Sequence, residues 1–345
     1  MARCYGSSAP RCGPLPRQPS ATTPGSPLAF RDDRSQARPV WGVNQSLRYA
    51  VGMKTASRGV AFEGAGGVVL RGDAYGDEAA PPVLLLHGGG QTRHAWKNAA
   101  RHLAAAGYLA VTLDLRGHGD SDWAGDRDYS LDAFAEDLRL VAATFGPSRP
   151  AVVGASMGGM TALVAESESA EAVTSAIVLV DVVPRMEDQG VARVLEFMTA
   201  APDGFASLDE AAEHVARYLP HRRRPDDVAG LARNLRTGGD GRLRWHWDPA
   251  FIEGRRDGSR PTDRLVRAAR ALTVPVLLVR GSLSEVVSEK GVADFLDLVP
   301  HARFADVKGA GHMVAGDRND AFTHAVLAFL RDTVVPGEDM EGGAA

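Results

Sequence analysis

Cysteine is nearly absent from this chain. Two occur in 345 residues, Cys4 and Cys12, and both lie in an irregular N-terminal stretch. None follows, so the globular part cannot hold a disulfide scaffold, a CxxC redox site or a cysteine-ligated metal. No apolar run reaches the ~18 residues that a membrane span needs, and a membrane role is not expected. Charge of one sign is not in excess: the net charge is −4. Nothing there favours a nucleic-acid partner. The one basic run, His221–Pro225, reads as a solvated helix end or loop ahead of an anion site. No His, Asp or Glu spacing suggests a metal site. Neither a GxGxxG turn nor a phosphate-binding loop is present, so no cofactor is expected.

What is present divides the chain. Residues 1–52 are rich in Pro, Ser and Arg and show no apolar periodicity. Such a segment buries too little surface to offset its ordering entropy and is expected to be disordered. It lacks the continuous apolar core of a secretory signal. Met53 is a candidate for the true start. From about residue 58 the chain alternates between strand and helix patterns. "PPVLLLHGGG" is a wholly apolar run closed by glycines, as a parallel strand buried on both faces requires. "GYLAVTLDLRGHGDSD", "PAVVGASMGGMTALVAESE", "SAIVLVDVVP", "VPVLLVRG" and "ARFADVKGAGHM" continue the series. This alternation implies an α/β fold, with a mostly parallel sheet and helices on both faces. The rhythm breaks near Pro184 and resumes near Ala271. Residues 58–184 and 271–335 are therefore read as the core, 185–270 as an inserted helical cap, and 336–345 as a flexible tail. Within the cap, "GVARVLEFMTA", "SLDEAAEHVARYL" and "DDVAGLARNLR" all read as helices.

Three motifs carry chemistry. "GASMG", Gly154–Gly158, fits G-x-S-x-G and sits between a strand and a helix. That context places Ser156 on a strained strand-to-helix turn with its hydroxyl above the sheet. The helix N-terminus behind it favours developing negative charge. "HGGG", His87–Gly90, ends a buried strand. The Gly89 amide there, with the Met157 amide after the serine, would form an oxyanion hole. Gly90 is a further candidate contributor and a substrate contact. His87 reads as a structural histidine that bonds the loop. "GAGHM", Gly309–Met313, places His312 after the last strand, flanked by small residues. A serine hydroxyl is a poor nucleophile until a base takes its proton, and His312 is the candidate base.

Together, "LLLHGGGQTRHAW", "LDLRGHGDSD", "GASMGG" and "GAGHM" resemble the α/β-hydrolase superfamily, over about residues 58–335. The likeness is greatest to its small cap-bearing members, which include haloperoxidase-like esterases, lactonases and meta-cleavage hydrolases. Capped epoxide hydrolases and haloalkane dehalogenases share the layout but use an aspartate nucleophile. Ser156 stands in that place here.

The resemblance implies a carboxylate that orients the histidine. Its usual place is the turn after the strand that follows the cap, where this chain has Gly281-Ser282-Leu283-Ser284. Glu285 is one residue out of register. The second place used in the superfamily is the end of the strand before the cap, where Asp181 stands 25 residues after Ser156. Asp181 is the first choice for the acid and Glu285 the second. A site without a carboxylate is the third. With Asp181 as the acid, Ser284 is a candidate hydrogen-bonding partner of the histidine or its acid. Asp114 and Asp120 are expected to organise their loop with Arg116.

The reading that follows is a serine hydrolase with the triad Ser156, His312 and Asp181. The cap aromatics Phe197, Phe205, Tyr218, Trp245 and Trp247 point to a small, largely apolar ester or lactone. Trp96 and Trp245 are candidate pocket residues. Hydrolysis of a C–C bond, a perhydrolase or haloperoxidase-like activity, and a receptor on a hydrolase fold remain as alternatives. The expected partner is a small-molecule substrate in the cytoplasm, with homodimer formation left open.

Overall fold

The computed structural model describes residues 56–219, 228–253, 261–312 and 319–334. The N-terminal stretch, the His221–Pro225 run and the C-terminal tail lie outside them.

An eight-stranded sheet forms the frame. Its strands are β1 Arg58–Glu63, β2 Val69–Tyr75, β3 Pro82–Leu86, β4 Leu109–Leu113, β5 Ala151–Ala155, β6 Ala176–Val180, β9 Val276–Gly281 and β10 Arg303–Val307. They lie in the order β1-β2-β4-β3-β5-β6-β9-β10. β1 and β2 pair antiparallel, as do β2 and β4, and every later pair is parallel. The all-apolar runs have become the middle strands: each residue of β3, β4 and β6 is buried. Both faces are dry because both carry helices. One face packs on α2 Leu131–Ala143, α3 Met157–Ser167, α7 Thr262–Ala271 and α8 Glu289–Leu298, and the other on α1 Lys97–Ala105 and α9 Asn319–Thr333. Ser130 caps α2 by accepting from the Ala133 amide, and Ser288 caps α8 by accepting from the Gly291 amide. Both are the residue type that satisfies an orphan helix amide.

The insertion between β6 and α7 holds α4 Asp188–Thr199, α5 Leu208–Tyr218, the hairpin β7 Leu235–Thr237 with β8 Leu243–Trp245, and the short α6 Pro249–Glu253. Two expectations change here. "DDVAGLARNLR" is no helix in its described part: a 3-10 turn over Ala229–Asn234 leads straight into β7. The Gly238-Gly239-Asp240-Gly241 stretch supplies the reversal, with the Gly241 amide donating to the Gly238 carbonyl and that of Gly238 to the Arg242 carbonyl. Glycines at a chain reversal are a hairpin signal. Helix α7, expected within the cap, packs against α3 with Leu265, Ala268 and Ala269 buried, so it belongs to the sheet's helical layer. Among the described residues no helix is long and apolar enough to cross a membrane.

Candidate active site

β5 breaks at Ser156 without an intervening loop. The residue has φ 45 and ψ −108, a region that side-chain-bearing residues occupy only when the surroundings force it. Three glycines make the force bearable. A Cβ on Gly154 would lie 2.5 Å from the Gly158 backbone, one on Gly158 2.6 Å from the Leu86 carbonyl oxygen, and one on Gly159 2.5 Å from Val182. The turn is thus wedged between its own helix and strands β3 and β6. Met157 opens α3, so its amide is one of the helix's unsatisfied donors.

His312 lies five residues beyond β10. Its loop is held by the turn after β9. The Leu283 amide donates to the Ala310 carbonyl at 2.8 Å and the Gly309 amide to Ser282 Oγ at 2.9 Å. A side chain on Gly281 would overlap the Ala310 and Gly311 carbonyl oxygens, which explains glycine there.

His312 Nδ1 donates to Asp181 Oδ2 at 2.7 Å. Asp181 is fully buried and has φ 51. The same Oδ2 accepts from Ser284 Oγ at 2.6 Å, and Oδ1 accepts from the Gly281 amide at 3.2 Å. Ser284 Oγ in turn accepts from the Val286 and Val287 amides, both at 3.1 Å. The carboxylate is therefore buried but solvated by three fixed donors, as a buried charge requires. With Nδ1 protonated and bonded, His312 keeps Nε2 as the free basic nitrogen. Glu285 is placed elsewhere: it is exposed, and both its oxygens accept from Arg193 of α4, at 2.7 and 2.6 Å.

A cavity of about 690 Å³ lies above the strand ends, lined by Ser156, Met157, His312, Gly89, Gly90 and Trp245 among others. The volume falls within the ordinary range for small-ligand sites. Its wall is largely apolar, with Met160, Met186, Val194, Phe197 and Met198 facing it, and among the described residues Arg233 is the one arginine or lysine in the lining and no carboxylate reaches it. Of the aromatics expected in the cap, Phe197, Tyr218, Trp245 and Trp247 reach the cavity. Phe205 does not line it; it packs on Trp245 edge-on, with centroids 5.2 Å apart. Burial pushes the Tyr218 phenol up to about 12, so it stays a neutral donor. Trp96 is not part of the wall. It is 1% exposed and packs on Phe322 on the opposite side of the sheet.

The glycine loop sorts its own amides. That of Gly88 donates to Gln91 Oε1 at 3.0 Å and that of Gly90 to His118 Nε2 at 3.2 Å. Gly89 and Gly90 both line the cavity, and the Gly90 N–H is already taken by His118. His87 is structural as expected. Its Nε2 accepts from the Leu115 amide at 3.0 Å and its Nδ1 donates to the Gly88 carbonyl at 2.8 Å. Burial lowers its pKa further. The acidic loop after β4 is organised differently from expectation. Arg93, not Arg116, holds Asp114 and Asp120, the latter at 2.8 Å. Arg116 makes two 2.6 Å bonds to buried Asp137. Sequence reasoning gave His118 and His246 no role, yet both are buried against the glycine loop, His118 from the loop after β4 and His246 from the stretch after β8.

The sequence profile of the alpha/beta hydrolase fold matches residues 81–318. The chain is 30% identical over 262 residues to esterase Rv0045c of Mycobacterium tuberculosis, covering 73% of this chain and 83% of that protein. A crystal structure of that esterase aligns with a TM-score of 0.61 at 28% identity, over 80% of this chain and 91% of the other. The chain is also 30% identical over 227 residues to 2-(acetamidomethylene)succinate hydrolase of Mesorhizobium japonicum, covering 65% of this chain and 78% of that one. The crystal structure of an E-2-(acetamidomethylene)succinate hydrolase aligns with a TM-score of 0.70 over 80% of this chain and all of the other; at 23% identity it speaks to the fold alone. With a profile match over most of its length and a relative 30% identical over 73% of the chain, this chain belongs to the alpha/beta hydrolase fold family.

Proposed function

We propose that this ester-cleaving hydrolase works through an acyl-enzyme on Ser156. The observation that carries the reading is the 2.7 Å bond to buried Asp181 from His312, which lines the same cavity as the strained serine. Ser156 Oγ attacks the acyl carbonyl while His312 Nε2 takes its proton. The carbonyl oxygen becomes an alkoxide, stabilised by the Gly89 and Met157 amides. His312 then gives the proton to the leaving alcohol. Water, deprotonated by the same nitrogen, attacks the acyl-enzyme, and His312 returns the proton to Ser156 Oγ as the carboxylic acid leaves. Asp181 keeps Nδ1 protonated and stabilises the imidazolium; it does not change its own protonation.

The apolar wall favours a small, largely apolar carboxylic ester or lactone. Similarity to an enzyme named as an esterase supports cleavage of an oxygen ester. A fluorophosphonate probe should label Ser156 in the folded protein and leave Ser156→Ala unlabelled, and only the wild type should turn over members of a panel of esters and lactones. No adduct on Ser156 in folded protein ends the reading.

A further inference from the structure

His118 and His246 lie 28 and 156 residues from Gly90, yet both bond to it. With His87 they form a column of buried rings, with centroids 5.1 and 5.8 Å apart. All are 2% exposed or less. Each ring's tautomer is fixed by a backbone amide, which can only donate. Leu115 N–H points at His87 Nε2, Gly90 N–H at His118 Nε2, and Gly119 N–H at His246 Nδ1, the last at 2.7 Å. The opposite nitrogen of each ring must then carry the proton. It donates to the carbonyl of Gly88, Arg116 and Gly90 respectively, at 2.8, 3.0 and 3.3 Å. The column is neutral by its geometry.

Three successive peptide units of the glycine loop are thereby tied. In the unit joining Gly88 to Gly89, the carbonyl is held by His87. In the next, the Gly90 N–H is held by His118. In the third, the Gly90 carbonyl is held by His246. A trans peptide is planar, with N–H and C=O pointing opposite ways. Holding the Gly88 carbonyl toward His87 therefore aims the Gly89 N–H away from the column, and Gly89 lines the cavity. Glycine at 90 has φ +76, and a residue this free has to be held from outside.

His87 and His118 come from the core; His246 comes from the cap. It leads a short strap that is stitched to the core: Asp248 N–H donates to the Gly117 carbonyl at 2.9 Å, and Tyr129 Oη donates to Asp248 Oδ2 at 2.5 Å. Phe251 of α6 then packs edge-on to His118 at 4.6 Å and closes over Gly89, where an added Cβ would meet it at 3.3 Å.

We propose that His246 is a positioning residue for the oxyanion hole: the cap reaches into the glycine loop through its imidazole and fixes the Gly89 amide for the transition state. This rests on the reading of Ser156 as nucleophile. The role predicts a loss in kcat rather than KM, because Gly89 N–H matters only once the alkoxide forms.

The test compares wild type with His246→Leu and His246→Gln, the second retaining a donor and an acceptor. Three quantities are read: kcat and KM on an ester that the wild type cleaves, the affinity of an alkyl boronic acid that forms a tetrahedral adduct on serine, and deuterium exchange of the backbone amides of residues 87–91. Expected for Leu are a kcat lower by about 10- to 100-fold, KM within about threefold, and boronate affinity falling in step with kcat. Loop exchange should be faster by about tenfold or more, and Gln should recover most of each loss. If Leu does not fold, the Gln variant and the wild-type ring decide the matter: a wild-type His246 whose nitrogen NMR shifts show the opposite tautomer overturns the proposal. So does a higher KM at unchanged kcat, or loop exchange unchanged in a folded variant. Wild type that neither labels at Ser156 nor cleaves any ester overturns the hydrolase reading instead, and the exchange measurement still decides whether His246 holds the loop.

Discussion

Two turns face each other at the ends of adjacent parallel strands, one after β6 and one after β9. Each contains a carboxylate near the histidine loop. In the first, Asp181 is wholly buried and takes three fixed donors, one of them His312. In the second, Glu285 points outward to Arg193 and solvent, and Ser284 turns inward. The difference teaches that the acid is chosen by what can be desolvated and still bonded. A short side chain at the strand end meets amides already fixed by the sheet. A longer one, one residue later, finds a cap arginine first. The second turn is not idle: its serine donates to the acid and its glycine amide holds the other oxygen.

Substitutions can break this asymmetry. The largest effect is expected for Asp181→Asn, which keeps the shape but removes the charge and favours the wrong histidine tautomer. Ester turnover should fall by about 10⁴-fold, with the fluorophosphonate labelling rate falling alongside. The second experiment moves the charge across the gap. Ser284 Oγ and His312 Nδ1 bond the same Asp181 oxygen, so a carboxylate at 284 lies within a bond's reach of the ring. In an Asp181→Asn background, Ser284→Asp should recover roughly tenfold or more of kcat, and no recovery would show that the two turns are not interchangeable. Next, Ser284→Ala leaves Asp181 with one donor fewer. Removing a hydrogen bond to a charged group costs about 1.5–3 kcal/mol, so turnover should drop by about tenfold or somewhat more, with KM little changed. The smallest effect belongs to Glu285→Gln. An exposed ion pair is worth little, and kcat should stay within about twofold. A larger loss there than in Asp181→Asn would reverse the assignment.

What the sequence discloses and what it hides follow chain distance. Ser156 is legible because its strain is satisfied locally, by glycines two before and two and three after it. His312 is legible because it follows the last strand in chain order after the serine, in a loop of small residues that leaves its ring room. Asp181 is legible from spacing, since 25 residues hold one helix and one strand and so end on the next strand over. The hairpin β7–β8 was marked by its own glycines, yet the apolar spacing of "VAGLARNLR" reads equally well as a helix. Three features were hidden. Arg116 is two residues from Asp114 and Arg93 is 21 away, yet the tertiary path gives Arg116 a buried partner in Asp137 and leaves Asp114 to Arg93. Trp96 follows the glycine loop, but one turn of 3-10 helix swings it to the far side of the sheet. His246 lies 156 residues from Gly90, and nothing in "RWHWDP" separates it from an ordinary surface histidine.

The imidazole column also sets how the protein meets acid. Burial holds His246 at about 3, against a usual 6.5, and lowers His87 as well. Between those two pH values the unfolded chain carries a proton at position 246 that the native fold refuses. The contribution of this site to stability is therefore fully present above about pH 6.5 and is lost as pH falls toward 3, at up to ~1.4 kcal/mol per pH unit. A fold that braces its glycine loop with neutral imidazoles gives up part of its resistance to acid in return.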